Sequence, residues 1–210
     1  MAQDRNQAQG FTLRRVDGVG QDDVLDGVAE LVAGAVARRE ALGLLGPLTP
    51  GDYRKYLDDL MAEAARGDGG LVAAVAATDV TAAVVLGTAQ WTRSSYATRR
   101  VLAELDRVSV APAARGMGVG RAVVEGIVAD AAAHGIEVLM LEVRGNNHGA
   151  IALYEDCGFA RTGVLPNAVA DGDARHDVIL MCRELPRPES ALLHGCAVEG
   201  SGASGLRTGS

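Results

Sequence analysis

The sequence predicts a mixed α/β fold with a central sheet and flanking helices. Apolar residues recur at helical spacing in some segments and form short continuous runs, typical of buried strands, in others. The predicted order is β-α-α-β-β-β-α-β-α-β-β, which favours a mixed sheet over a regular βαβ repeat. The chain has 210 residues, 48% of them hydrophobic, and this is enough for one well-buried core.

The N-terminal part begins with a strand and two helices. Residues 1–10 are polar and are predicted to be flexible, whereas residues 11–16 are predicted to be the first strand. Apolar residues at helical spacing over 24–36 indicate the first helix, and the glycines of 43–46 end it. The sequence Thr-Pro-Gly-Asp at 49–52 predicts a capping box, with proline at the first position of the second helix.

The middle of the chain supplies three strands and the third helix. Residues 71–77 and 82–92 are apolar runs separated by the polar turn 78–81, which predicts a hairpin. An apolar run at 102–110 predicts a further strand, and the pattern of 119–134 predicts an amphipathic helix.

The C-terminal part completes the sheet. Residues 136–143 predict a short strand and 150–157 a short helix. The last two strands are predicted at 159–165 and 177–183, joined by a polar loop. Residues 186–210 are rich in proline, glycine and serine, so we expect a disordered tail.

Composition narrows the function classes for the single domain expected over 11–185. A net charge of −7 and only 3% aromatic residues argue against nucleic-acid binding. The chain has no apolar run long enough to cross a membrane, and its polar start lacks the apolar core of a signal peptide, so we expect a cytoplasmic protein. Cys157, Cys182 and Cys196 are widely spaced, which predicts neither a disulfide framework nor a metal site.

The turn Arg-Gly-Met-Gly-Val-Gly at 115–120 lies between the third helix and the strand before it. Backbone N–H groups at a helix start lack partners and carry positive potential, so such a turn favours an anion. Glycines let a phosphate approach the backbone closely. The spacing fits neither a Walker loop nor a dinucleotide-binding fingerprint. An ordinary glycine-rich turn is the alternative.

Two motifs in order resemble those of the GNAT acetyltransferase superfamily. Arg115, Gly118 and Gly120 match the pattern Gln/Arg-x-x-Gly-x-Gly/Ala, and residues 147–159 look like Asn-x-x-Ala-x-x-Leu-Tyr-x-x-x-Gly-Phe. The resemblance covers about residues 13–185. It implies a GNAT-like sheet with a splayed strand pair, and acetyl transfer from acetyl-CoA to an amine without a metal.

The resemblance also implies which residues bind acetyl-CoA. The pyrophosphate would lie on the N–H groups of 115–120, and the preceding strand would hold the pantetheine arm and polarise the thioester carbonyl. Asn147 would contact the pantetheine, cap the short helix, or both. The implied residues are Val108, Ser109, Val110, Arg115, Gly116, Met117, Gly118, Val119, Gly120, Arg121, Asn147 and Tyr154.

The reaction needs a base for the acceptor ammonium and an acid for the departing thiolate. Glu104 resembles the glutamate that many family members use as the base, and Tyr154 resembles the thiolate-protonating tyrosine. Strand alternation predicts one shared face for Leu102, Glu104, Asp106, Val108 and Val110. Two carboxylates there would raise each other's pKa and attract a cationic acceptor, so either could be the base. The alternative is an exposed Glu104 paired with Arg100 or Arg107.

The acceptor is harder to predict. Candidate residues, each with a surface or packing role as the alternative, are Trp91, Glu104, Asp106, Asn167, His176 and Asp177. Segments 13–16, 161–166 and 171–177 look loosely similar to the tabtoxin-resistance type, although Asp177 stands where that group tends to have a proline. We expect a small-molecule amine such as an amino acid, toxin or antibiotic-like compound.

Other functions stay open at this point. The chain could be a protein N-terminal or lysine acetyltransferase, or a catalytically silent coenzyme-A-binding module. A Cys157 nucleophile is less favoured because no paired histidine is evident from the spacing. Many family members are dimers, so a homodimer is a further expectation.

Overall fold

A computed structural model describes residues 10–44, 46–77 and 83–187. Its strands and helices follow the predicted order. They are β1 Phe11–Val16, α1 Asp22–Ala37, α2 Pro50–Ala65, β2 Gly69–Ala76, β3 Val85–Arg93, β4 Leu102–Val110, α3 Val119–Ala133, β5 Val138–Arg144, α4 His148–Asp156, β6 Ala160–Asp171 and β7 Ala174–Glu184. The predictions for the flexible N-terminus, the turn at 78–81, Cys196 and nearly all of the tail lie outside the described residues.

The strands form one mixed sheet in the order β1-β2-β3-β4-β5-β7-β6. All neighbours are antiparallel except β4 and β5, which run parallel. These two pair only from Leu102 to Glu104, opposite Val138 to Met140. Beyond Glu104, β4 diverges from β5, and no described strand pairs with its backbone on that edge. The mixed sheet with a splayed strand pair is therefore confirmed.

Helices cover both faces of this sheet, and each face has its own apolar core. α1 and α2 pack on one side, with Leu57 and Val28 fully buried there. α3 and α4 pack on the other side, where Ile127 is fully buried. The capping box at the start of α2 is present, because the Thr49 hydroxyl accepts the Asp52 N–H at 3.1 Å and the Asp52 carboxylate accepts the Thr49 N–H at 3.2 Å. No described helix is long and apolar enough to span a membrane.

A β-bulge in β4 corrects the predicted alternation of its side chains. Gln90 on β3 lies opposite Asp106, and Thr88 lies opposite Ser109, so β4 has one extra residue between these pairs. Arg107 sits in the bulge with φ of +51°. Past the bulge the faces exchange: Val108 and Val110 pack against the α3-side core together with Ala103 and Leu105, not on the face of Glu104. Alternation fails here because an inserted residue shifts the two-residue period by one.

The predicted loop between the last two strands is instead a long hairpin. β6 continues to Asp171 and β7 begins at Ala174, so only two residues lie between them. The sequence suggested a loop because Pro166 and Asn167 disfavour a regular ladder. The strand accommodates them in a bulge: Leu165 and Val169 lie opposite Val178 and His176, respectively. Asn167 has φ of +55° in this bulge.

Candidate functional site

A cleft of about 1060 Å³ opens where β4 and β5 diverge. One wall is the α1–α2 segment, which we define as residues 38–44 and 46–49. The other walls are β4, β5, α4 and the β6–β7 hairpin. The charged and phenolic side chains that line the cleft are Arg39, Glu40, Glu104, Asp106, Arg107, Glu142, Arg144, Tyr154 and Asp171. Of the sequence-predicted site residues, the cleft thus brings together Glu104, Asp106, Val108 and Tyr154.

Glu104 occupies the last paired position of β4, at the point where the strand diverges. Its side chain is open to the cleft. Partial desolvation raises the pKa of Glu104, and the nearby carboxylates of Asp106 and Glu142 raise it further. A carboxylate with a raised pKa is a stronger base, and it is suited to accept a proton near neutral pH.

The alternative in which Glu104 is neutralised by an arginine is not observed. Arg100 instead pairs with Asp68. Arg107 pairs with Asp106, with 3.2 Å between Nη1 and Oδ1. In the part of the chain that the structure describes, Glu104 has no ion pair, and the positive charge of Arg107 offsets only part of the rise in its pKa.

Tyr154 is 9% exposed and faces the cleft from α4. Its ring packs edge-on against Phe159, with centroids 5.9 Å apart. Burial raises the pKa of Tyr154 well above its ordinary value, with smaller contributions from Asp106 and Cys157. The phenol therefore stays protonated and can act as a proton donor. Burial also raises the pKa of the Cys157 thiol, which disfavours a nucleophilic thiolate.

The turn at 115–120 has the form of an anion site. Gly116 and Gly118 have φ of +78° and +81°, and Gly118 is the N-cap of α3 without a side-chain cap. The N–H groups of Gly116 and Gly118 have no backbone acceptor among the described residues. The first N–H groups of a helix also lack an acceptor within the helix. Open space surrounds Gly116, so a phosphate can approach. Gly120 has a packing role, since a Cβ there would lie 3.2 Å from Leu153.

Arg115 of this turn and Arg121, which follows the turn, are both engaged in ion pairs. The Arg115 Nη2 lies 2.6 Å from Glu40 Oε1, which joins the turn to the α1–α2 segment. Although partial burial opposes it, hydrogen bonds from Arg38 and Arg115 hold the pKa of Glu40 below its usual value. Arg121 pairs with Asp156 at the end of α4, at 2.8 Å. An anion at the turn would compete with Glu40 for Arg115.

The other predicted acetyl-CoA-binding residues differ in exposure. Ser109 is buried, and its hydroxyl has no partner among the described residues. Val119 is buried in the core, whereas Met117 is 47% exposed at the turn. Asn147 caps α4, because its side-chain oxygen accepts the Ala150 N–H at 3.3 Å. The capping half of the prediction for Asn147 is thus observed.

Trp91 does not lie in the cleft, which corrects its prediction as an acceptor-site residue. Its side chain is fully buried under α3. Its Nε1–H donates to Asp130 Oδ2 at 2.7 Å, and Arg15 Nε donates to Oδ1 of the same carboxylate at 2.5 Å. A Cβ on Gly70 would collide with this pair. Trp91 is thus part of a buried polar cluster that joins strands to α3 and leaves no surface for an acceptor.

Asn167 and His176 lie on the β6–β7 hairpin but not on the cleft lining. The Asn167 N–H donates to Asp177 Oδ1 at 2.9 Å, so these two residues fix the bulge. The neighbouring residues 168–171 do line the cleft. The predicted side chains therefore do not line the cleft, whereas other residues of the same hairpin do.

Several cleft residues were missed by sequence reasoning. Glu142 and Arg144 lie on the face of β5 opposite its buried leucines, and their polar character within an apolar run was an available signal. Arg144 Nη1 pairs with Asp171 Oδ2 at 3.1 Å, and its Nε is buried without a partner in the described residues. Glu40 carried no signal, because nothing local indicates that it meets Arg115.

Comparisons with known proteins agree with this geometry. A model of the acetyltransferase (GNAT) family matches residues 39–159, more than half of the chain. The ribosomal protein bS18-alanine N-acetyltransferase of Escherichia coli (strain K12) is 38% identical over 79 residues, which are 38% of this chain and 53% of the relative. The chain thus spans about half the length of the curated relatives it matches.

Solved structures share the fold. The phosphinothricin acetyltransferase of Sinorhizobium meliloti, in complex with acetyl-CoA, has a TM-score of 0.70 at 21% identity, covering 91% of this chain and 95% of that one. The yncA protein of Salmonella typhimurium, solved with acetyl-CoA, has a TM-score of 0.71 at 20% identity, covering 86% and 96%. With the family match over the splayed strands, the glycine turn and α4, the chain belongs to the acetyltransferase (GNAT) family.

Proposed function

We propose that the chain is an acetyl-CoA-dependent N-acetyltransferase that acts on the primary amine of a small molecule, such as an amino acid, toxin or antibiotic-like compound. One observation carries this proposal. Where β4 diverges from β5, Glu104, which has no ion pair among the described residues, and the protonated Tyr154 line the same cleft. Its edge is joined to the anion-binding turn through Glu40 and Arg115.

The donor side fits acetyl-CoA. The free N–H groups around Gly116 and Gly118 would bind the pyrophosphate, with the dipole of α3 adding positive potential. The unpaired edge of β4 would hydrogen-bond the pantetheine arm and polarise the thioester carbonyl. Acetyl-CoA supplies an activated acetyl group, and the chain's own residues orient it and move the protons.

Three proton transfers complete the reaction. Glu104 accepts a proton from the acceptor ammonium, and the freed nitrogen attacks the thioester carbonyl carbon. The nitrogen of the tetrahedral intermediate then loses its second proton to solvent. As the C–S bond breaks, the Tyr154 hydroxyl donates its proton to the sulfur. An N-acetyl amine and coenzyme A thiol are released, and solvent returns the proton from Glu104 to Tyr154.

Glu104 is a better candidate for the base than Asp106. The Asp106 Oδ1 already accepts the Arg107 backbone N–H at 2.7 Å and lies 3.2 Å from the Arg107 guanidinium. Both contacts engage the Asp106 carboxylate, whereas Glu104 has no ion pair among the described residues. Asp106 and Glu142 instead contribute negative potential that attracts a cationic amine.

A protein N-terminus is the second candidate acceptor. The name of the Escherichia coli relative states that it acts on an alanine of a ribosomal protein. The α-ammonium at the start of a protein chain could give its proton to Glu104 just as that of a free amino acid could. A thiol-release screen with acetyl-CoA would separate the two, using amino acids, polyamines and aminoglycosides in one set and short N-terminal peptides in the other.

Glu104→Gln is the direct test of the base. We expect kcat/KM for the best acceptor to fall roughly 100-fold near pH 7, the usual range for loss of a general base. The deficit should narrow above the acceptor's own pKa, where the amine is already neutral. The acid limb of the wild-type pH profile, set by the raised pKa of Glu104, should vanish. Thiol release measured from pH 5 to 10 gives both results.

Stability provides a check that this variant is folded. The raised pKa means that ionised Glu104 costs the folded state free energy above its folded-state pKa, and that the cost disappears at lower pH. Glu104→Gln should therefore melt slightly higher than wild type at pH 8 and equally at pH 4. The control Glu30→Gln, on an exposed position of α1, should leave the rate unchanged. Equal rates for Glu104→Gln and wild type at all pH values would remove Glu104 as the base.

A further inference from the structure

Arg107 has a backbone conformation that arginine rarely adopts. It lies in the bulge of β4 with φ of +51°, a left-handed conformation that is unfavourable for an L-residue. Such strain persists where the surroundings over-determine it, and it concentrates at functional sites. Glycine or asparagine would adopt this backbone conformation more easily. We therefore expect the Arg107 side chain to make contacts that offset the strain.

The bulge is held locally by Asp106. Its Oδ1 accepts the Arg107 backbone N–H at 2.7 Å and pairs with the Arg107 Nη1 at 3.2 Å. One carboxylate therefore binds both the backbone and the side chain of the next residue. This contact directs the guanidinium away from the sheet and across the cleft.

The side chain then reaches the α1–α2 segment. Arg107 Nη1 donates to the Leu42 carbonyl oxygen at 2.5 Å. The next residue, Gly43, has φ of +68°, and a Cβ there would be 3.4 Å from the Arg107 Nη1. The Arg107 side chain is only 19% exposed, and a charge-assisted bond in such a desolvated place is stronger than a neutral one. Arg107 thus joins the splayed strand to the opposite wall.

We infer that Arg107 is a positioning residue that holds the α1–α2 segment against β4 and so fixes the acceptor side of the cleft beside Glu104. This inference rests on the proposed function, because it assigns the acceptor to the space between these two walls. Arg107 makes no described contact with the glycine turn. Its loss should therefore change acceptor binding while leaving acetyl-CoA binding intact.

Arg107→Gly tests this, because glycine keeps the backbone conformation and removes the side-chain bonds, together with a positive charge that lowers the pKa of Glu104. We expect the acceptor KM to rise about tenfold, the effect of losing a hydrogen bond to a charged group, with kcat within threefold and the calorimetric Kd of acetyl-CoA unchanged. Backbone amides of 38–44 should exchange hydrogen faster, whereas those of α3 should not. Arg107→Lys should restore part of the acceptor affinity because it keeps a charged donor.

The control is Arg14→Ala, which removes an exposed arginine of β1 outside the cleft. Unchanged acceptor KM and unchanged exchange of 38–44 in Arg107→Gly would overturn the inference. A parallel loss of acetyl-CoA affinity and melting temperature would overturn it too, since Arg107 would then support the whole fold. If wild type acetylates no amine, the proposed function fails, whereas faster exchange of 38–44 in Arg107→Gly would still support the positioning role.

Discussion

The proposed donor and acceptor sides of the cleft are built in different ways. The donor side comes from one stretch of chain: the end of β4, the turn at 115–120 and the start of α3 lie close together in sequence. The acceptor side is assembled from the part of β4 that carries Glu104 and Asp106, the α1–α2 segment, β5 and the β6–β7 hairpin, which are far apart in sequence. A site built from one local stretch can be recognised in the sequence as a motif. A wall assembled from distant segments can be recognised only in the folded chain.

The two sides also differ in charge. The turn at 115–120 offers N–H groups without a partner among the described residues and is suited to an anion. The proposed acceptor side presents Glu104, Asp106 and Glu142, partly balanced by Arg107 and Arg144. In the proposed function, this opposite electrostatic character would keep a phosphorylated donor and a cationic acceptor in separate parts of one cleft. The two sides meet at the Glu40–Arg115 ion pair and at Tyr154.

Tyr154→Phe should have the largest effect and tests the point where the sides meet. We expect kcat to fall roughly 100-fold, because the thiolate loses its acid, while the Kd of acetyl-CoA stays constant. Stopped-flow detection of free thiol measures the rate, and calorimetry the affinity. The exposed Tyr96 provides the control variant Tyr96→Phe. If kcat for Tyr154→Phe matched wild type, Tyr154 would be only a packing residue.

Gly118→Ala should affect the donor side alone. An alanine at φ of +81° is strained, so the turn should shift and weaken acetyl-CoA binding about tenfold, equivalent to the 1–2 kcal/mol left-handed penalty. Calorimetric titration with acetyl-CoA measures this loss, and hydrogen exchange of 38–44 should not change. Gly51→Ala, in the first turn of α2 where the nearest atom is 3.9 Å away, is the matched control. Equal affinities in both variants would argue against the turn as the pyrophosphate site.

Glu40→Gln should have the smallest effect, a change in acetyl-CoA affinity, and it tests whether the two sides of the cleft are coupled. Arg115 would lose its partner in the free protein, so acetyl-CoA should bind roughly two- to fivefold tighter, the range of a partly exposed ion pair. The gain should shrink at high salt. An unchanged Kd of acetyl-CoA at low salt would mean that acetyl-CoA does not compete with Glu40 for Arg115. The donor and acceptor sites would then be independent.

The same contrast explains how much could be predicted from sequence. The strand and helix order followed from periodicity, and the resemblance to the GNAT family pointed to Glu104 and Tyr154, which both line the cleft. The β4 bulge was missed, because no glycine marks it and Arg107 occupies the left-handed position. Trp91 was misplaced because an indole with a polar N–H suits a binding site as well as a core, and only the fold brings Asp130 to it. Glu142 was missed although its charge interrupts an apolar run, whereas Glu40 became visible only through its long-range contact with Arg115.

The bulge at Pro166 and Asn167 has a consequence for how the molecule behaves in a crowded solution. β6 ends the sheet on one side, and an edge strand is a template on which a second chain can add its own strand. Pro166 has no N–H to offer, and the extra residues of the bulge break the regular row of donors and acceptors. The feature that shapes one end of the cleft thereby also protects the sheet from growing by edge-to-edge aggregation.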